Sequence, residues 1–379
     1  MKRDIRHLMP SEVLHRAGGM EFLAYSRSGC AEKPLIVFIP GSSHLARVAY
    51  GHPGSIKSDF LDHWLAQANY SFCAISYPLD HPIFSHVYPS MTVNDWACGT
   101  VDIVRRIAGG LEHSGEVVIL LWSMAGRTIH RLVHHARRQS IRIKCFISLA
   151  ATAPLTGMAP LELTFLRTTT SGLRDTSSPL PDGSSYDHGL WGRGIHYAEE
   201  SLGRKVVGDN DYQKYYRGDH PIQLRGEKER FFDGNVYQSA IEAIDDAGLF
   251  DFENYKLTAA LIPNSLEDAR HALTDKSIWS FYNTQYLYNR LQALEILASR
   301  IETCPSEVND LFESGIDSLS RRIEGNHFFF IGPQGARSTV CMIEGLIEQV
   351  HRIETILAAL APNSNLHLKG TQHSRFVGP

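Results

Sequence analysis

Four short, almost continuous apolar runs divide the first 154 residues. They are "PLIVFIPG" (Pro34–Gly41), "YSFCAISYP" (Tyr70–Pro78), "EVVILLWS" (Glu116–Ser123) and "IKCFISLAATAP" (Ile143–Pro154). Runs of this length, bounded by turn residues, read as buried strands. Helical patterns lie between them: Ser58–Asn69 behind a Ser cap, Thr92–Leu111 ending near Gly109-Gly110, and Gly126–Gln139. Strands that are apolar throughout and alternate with helices predict an α/β fold, a mostly parallel sheet with helices on both faces. Ligands of such sheets bind beyond the C-terminal strand ends. That rule gathers Gly41–His44, Ser123–Gly126 and Ala150–Pro154 along one edge.

After Pro154 the alternation stops. Residues 155–276 begin loop-rich and continue as aromatic, mixed-charge helical stretches, which reads as an inserted, mainly helical cap. The core is expected to resume with a helix over Ser277–Arg300. A short strand in "RIETCP", a short helix in "DLFESGIDSLSRR", a last strand in "RRIEG" and a terminal helix follow. The expected organisation is a core of residues 1–154 and 277–379 with a cap of residues 155–276.

The chain has 379 residues, 43% hydrophobic and 21% charged, with a net charge of -4. That balance is globular and offers no bulk attraction to nucleic acid or anionic lipid. No apolar run reaches the 18 residues of a membrane span. "MKRDIRHLMPSEVLHR" lacks the apolar segment of a secretory signal. The six cysteines (Cys30, Cys73, Cys98, Cys145, Cys304, Cys341) form no CxxC pair and read as free thiols of a cytoplasmic protein. His130 and His134 have zinc-like i, i+4 spacing. They lack the Glu of H-E-x-x-H and sit among arginines, so a solvated basic face is expected and no metal.

Ser123 stands between a strand and a helix and has two readings. It is either the N-cap of the helix or a nucleophile on a sharp strand-to-helix turn, with small Ala125 and Gly126 beyond it. The order of elements around it resembles the α/β-hydrolase superfamily over roughly residues 20–154 and 277–360. "WSMAG" is similar to that family's nucleophile elbow, with Leu121 where the family has Gly. "EGNHFFF" is similar to its Gly-x-His after the last strand, "PSEVNDLF" to its acid loop, and "FIPGSS" to its oxyanion loop.

The resemblance implies Ser123 as nucleophile, His327 as base and Asp310 as acid. Asp310 precedes His327 by 17 positions. Glu307 is a rival acid, and so is Asp268 if the strand ahead of it belongs to the sheet. The implied oxyanion donors are the backbone N–H groups of Met124 and Ser42. Ser43, His44 and Trp122 are candidate substrate contacts, and Arg47 follows them. The implied activity is a serine hydrolase that cleaves a carboxylic ester or thioester through an acyl-enzyme, without cofactor. The substrate would be a small acyl compound, free or carrier-linked. A non-catalytic binding protein of the same fold and an acyltransferase are the competing readings.

Overall fold

The computed structural model describes residues 8–111, 113, 115–158, 167–176, 178, 191–252, 255–293 and 310–360. Its centre is an eight-stranded sheet: β1 (Glu12–Ala17), β2 (Met20–Arg27), β3 (Leu35–Ile39), β4 (Phe72–Ser76), β5 (Val117–Trp122), β6 (Ile143–Leu149), β7 (Thr258–Pro263) and β8 (Ser320–Ile323). The order across the sheet is β1-β2-β4-β3-β5-β6-β7-β8. β2 pairs antiparallel with β1 and β4, and every pair from β4 to β8 is parallel. Successive strand residues point to opposite faces. Every residue of β3, β4, β5 and β7 is buried, so both faces are covered. The expected fold class is the one observed.

The helices are α1 (Leu61–Gln67), α2 (Val93–Gly110), α3 (Ile129–Arg138), α4 (Gly192–Leu202), α5 (Asp209–Tyr215), α6 (Ala240–Ala247), α7 (Ala269–Ala293) and α8 (Pro333–Leu360). A capping box starts α2: Thr92 accepts from the Asp95 N–H, and Asp95 accepts from the Thr92 N–H. α2 packs on α3, and α1 on α8. His130 of α3 is buried rather than solvated. Its Nδ1 lies 3.0 Å from the Asp251 carbonyl, and burial pushes its pKa down to about 4.

Two features depart from the reading of the sequence. The hairpin β1–β2 was not foreseen. Its local signal is Gly18-Gly19, whose φ values of +56° and +81° suit a two-residue hairpin turn. The second departure is the domain boundary. β7 lies inside the span assigned to the cap, yet it pairs with β6 and β8 in the main sheet. The core therefore resumes at Thr258, not at residue 277, and α7 begins at Ala269. "TAALIP" is a short apolar run of the kind that marked the other strands, but it is embedded in mixed-charge chain. Residues 294–300, the strand expected in "RIETCP", Cys304 and Glu307 lie outside the described residues.

The segment between β6 and β7 carries α4, α5, α6 and two short two-stranded ribbons. It is tied to the core by Arg204–Asp59 at 2.6 Å and by Arg217 Nη1 donating to the Ser43 carbonyl at 2.5 Å. The five described cysteines are free thiols. Among the described residues no helix is long and apolar enough to cross a membrane.

The chain after β3 is anchored by a buried ion pair. Arg47 donates through Nε and Nη2 to Glu12, both at 2.7 Å, and the Tyr50 hydroxyl donates to the same carboxylate at 2.7 Å. Arg47 is thus a structural group and not a substrate contact. Removing one partner of a buried pair strands the other charge. Glu12→Gln is expected to lower the unfolding free energy by about 3–5 kcal/mol, measured by urea denaturation.

Candidate active site

β5 ends at Trp122, and the chain turns at once into a 3-10 helix over Ser123–Thr128. Ser123 has φ +55°, a left-handed conformation that costs a non-glycine residue about 1–3 kcal/mol. A helix N-cap is extended instead. Here Trp122 holds that position, with φ -102° and ψ 132°. The capping reading of Ser123 therefore fails, and a strained strand-to-helix turn remains.

Close packing holds the turn. The Thr152 N–H donates to the Ser123 carbonyl at 2.7 Å. A Cβ on Gly126 would overlap the Thr152 carbonyl oxygen, and one on Gly41 would lie 2.5 Å from Ser123 Cβ. Glycine is thus needed at 126 and 41, not at 121. Leu121 sits fully buried in β5, in register with Ile39 and Ser148.

Two further loops complete the site. β7 ends at Pro263, and a turn over Leu266–Asp268 presents Asp268. β8 ends at Ile323, and the chain reverses through Gly325 at φ +119° to present His327. The two loops are stitched together. Asn264 N–H donates to the Ile323 carbonyl, Ser265 N–H to the Gly325 carbonyl, and Gly325 N–H to Asn264 Oδ1, each at 3.1 Å. Asn326 Nδ2 donates to Glu267 at 2.8 Å.

His327 Nδ1 lies 2.8 Å from Asp268 Oδ2. A carboxylate only accepts, so Nδ1 carries the proton and Nε2 is left basic. Trp122 Nε1–H donates to the His327 carbonyl at 3.0 Å. Burial would raise the Asp268 pKa. The charge and hydrogen bond of His327, with His271 and Arg270, outweigh burial and hold it at about 2.

Ser123, Met124, Ser42, His327 and Asp268 line one cavity of about 540 Å³. Its wall also carries Arg127, Thr152, Arg174, Trp191, Arg225 and Arg270. Neither Ser123 Oγ nor His327 Nε2 is hydrogen-bonded to a protein group among the described residues, the other included.

The remaining expected site residues lie elsewhere. Asp310 is exposed and does not line the cavity. It precedes β8, and the chain entering a parallel strand lies at its N-terminal end, opposite the edge that carries His327. The acid that meets His327 follows β7 instead. Ser43, His44 and Trp122 are buried behind the wall and have no access to a ligand in the cavity. Ser43 Oγ lies 2.6 Å from His220 Nδ1. His44 is held by Tyr212 at 2.7 Å and packs between Trp122 and Trp191.

Asp268, His271 and His327 offer ligand atoms within 4.8 Å of one another. Both nitrogens of His271 are already engaged. His271 Nδ1 is 2.9 Å from Asp275, and His271 Nε2 accepts from Arg270 Nη2 at 2.6 Å. A dication there would also face the Arg270 guanidinium. The arginines of the wall escaped the reading of the sequence. Arg127 had a local signal, since it stands about one helical turn beyond Ser123.

No protein-family model matches the chain, and no curated protein does either. Among solved structures the chain is similar to a carboxylesterase of Nitrososphaera gargenis. They share 10% identity over 90% of this chain and 100% of that one, with a TM-score of 0.45. It is similar to a protein that recognises and ring-cleaves the Pseudomonas quinolone signal, at 13% identity, 90% and 99% coverage and a TM-score of 0.47. It is also similar to an esterase of Pyrobaculum calidifontis, at 13% identity, 90% and 83% coverage and a TM-score of 0.45.

The contact at Gly126 gives a direct test of the turn. Gly126→Ala is expected to lower stability by about 1–3 kcal/mol, because the obstructing atom is backbone and cannot swing aside. Thermal unfolding reads the loss.

Proposed function

We propose that this chain is a serine hydrolase of the α/β-hydrolase superfamily, acting on a small carboxylic ester or thioester. One observation carries the reading. A serine in strained left-handed backbone shares a cavity with a histidine whose far nitrogen is bound to a carboxylate at 2.8 Å. A cavity of about 540 Å³ suits a small molecule.

In this reading Ser123 Oγ attacks the acyl carbon while His327 Nε2 takes its proton. Oγ and Nε2 must close to hydrogen-bond distance, a tightening common when substrate enters. Asp268, rather than Asp310, keeps the imidazole in the required tautomer and stabilises its charged form. The N–H groups of Met124 and Ser42 receive the oxyanion. The first N–H groups of a helix have no partner within it, which frees that of Met124 for this role. His327 then protonates the leaving alcohol or thiol. Water adds to the acyl-enzyme, and the acid departs as Ser123 regains its proton.

A fluorophosphonate probe tests the nucleophile. Covalent labelling of the wild-type protein, lost in Ser123→Ala, supports the hydrolase. A folded wild-type protein that takes no label, and turns over no aryl ester, would be a non-catalytic binding protein instead.

The acid is tested by a pair of variants. Asp268→Asn is expected to lower kcat by about 10³–10⁴-fold, while Asp310→Asn stays within about twofold, as an exposed residue outside the cavity should. The reverse pattern would overturn the assignment.

The pH dependence follows from the same geometry. Asp268 stays ionised down to about pH 2. In a kcat/KM–pH profile, protonation of Asp268 should therefore cause no loss of rate until the pH approaches that value.

A further inference from the structure

Arg270 lines the cavity two residues beyond Asp268. Its Nη2 donates to Thr152 Oγ1 at 3.1 Å and to His271 Nε2 at 2.6 Å. Both acceptors are neutral groups. His271 must accept at Nε2, so its Nδ1–H donates to Asp275, and the pair His271–Asp275 is buried. Asp275, His271 and Arg270 form a hydrogen-bonded series that holds the guanidinium at the wall without neutralising it directly.

The nearby carboxylates are engaged elsewhere. Asp268 is bonded to His327, Asp275 to His271, and Glu227 to Arg127. Arg225 has its own partner in Glu229 at 3.0 Å. No carboxylate lies within 4.0 Å of Arg270 among the described residues. Burial lowers the pKa of the Arg270 guanidinium, and the more distant charges of Asp268, Asp275 and Glu227 offset this only in part. A partly desolvated cation at a cavity wall is a cost that a bound anion would offset.

We propose that the cavity takes an acyl substrate bearing a carboxylate, and that Arg270 receives that carboxylate. The acyl part of this proposal rests on the hydrolase reading above; the anion rests on the cavity alone. A planar guanidinium matches a carboxylate in shape as well as charge. Thr152 links the two ends of the site, accepting from Arg270 and donating its N–H to the Ser123 carbonyl. The anion therefore sits close to the reacting acyl group, as in a hemiester of a short dicarboxylic acid. Arg270 is a substrate-binding residue in this scheme, and His271 and Asp275 are positioning residues.

Two esters that differ only in the terminal group provide the test: 4-nitrophenyl hydrogen glutarate and 4-nitrophenyl pentanoate. The wild-type protein should favour the glutarate in kcat/KM. In Arg270→Gln the glutarate-to-pentanoate ratio should fall roughly 10–100-fold, mainly through KM, and Arg270→Lys should recover part of it. Asp275→Asn should lower the ratio in the same direction. A ratio unchanged in a folded Arg270→Gln protein, or a wild-type preference for the pentanoate, overturns the proposal and leaves the hydrolase reading standing. Calorimetric binding of glutarate to Ser123→Ala gives a readout independent of turnover. Loss of that binding in Ser123→Ala with Arg270→Gln supports the anion site even if neither ester is cleaved. Absence of glutarate binding in Ser123→Ala counts against it.

Discussion

Parallel pairing from β4 to β8 is the constraint on which the rest of this structure depends. Strands that run the same way finish at the same edge, and the loops that follow β3, β5, β7 and β8 are brought to one cavity. Those four loops supply Ser42, Ser123, Asp268 and His327, which are scattered over nearly 300 positions of the chain. The sheet also sets how closely the loops approach. Gly41 and Gly126 are where backbones meet, and the left-handed Ser123 survives between them because the surrounding packing leaves it no relaxed alternative.

Two histidine–carboxylate pairs stand side by side, one lining the cavity and one buried behind it. His327 with Asp268 faces the serine, and His271 with Asp275 backs the arginine. The two imidazoles lie 5.2 Å apart between ring centroids. Their environments differ in accessibility: His271 is buried and bonded at both nitrogens, whereas His327 keeps one nitrogen unoccupied at the cavity. One pair is suited to moving a proton and the other to holding a cation still. Behind them, Trp122 and His44 are part of the packing that supports the site, which explains how residues adjacent in sequence to Ser123 and Ser42 have no access to a ligand.

Much of this was legible in the chain. Near-continuous apolar runs are what buried parallel strands require, and four of them located β3 to β6 within a few residues. Ser123, Met124 and Ser42 were placed at the sheet edge because each follows such a run, whereas His327 follows the charged strand β8 and was singled out only by the resemblance of "EGNHFFF". The partner of His327 was not legible, because three candidate carboxylates (Asp310, Glu307 and Asp268) preceded it and the choice depended on which strand neighboured β8. "TAALIP" looked like part of an insertion until pairing with β6 put it in the sheet. The hairpin β1–β2 was missed for another reason: its strands carry charge and lack the unbroken apolar signature of the interior.

The order of residues by itself determined the class of the fold and the place of Ser123 at a strand-to-helix junction, because hydrophobic periodicity and such a junction are local properties. Only the tertiary structure decided that Asp268 meets His327, that Leu121 is tolerated, and that Arg270 stands at the cavity with neutral partners. Each of these depends on which strand lies beside which, and on distances between segments far apart in the chain. No local pattern encodes such distances; they arise when the sheet closes and its loops are packed against one another.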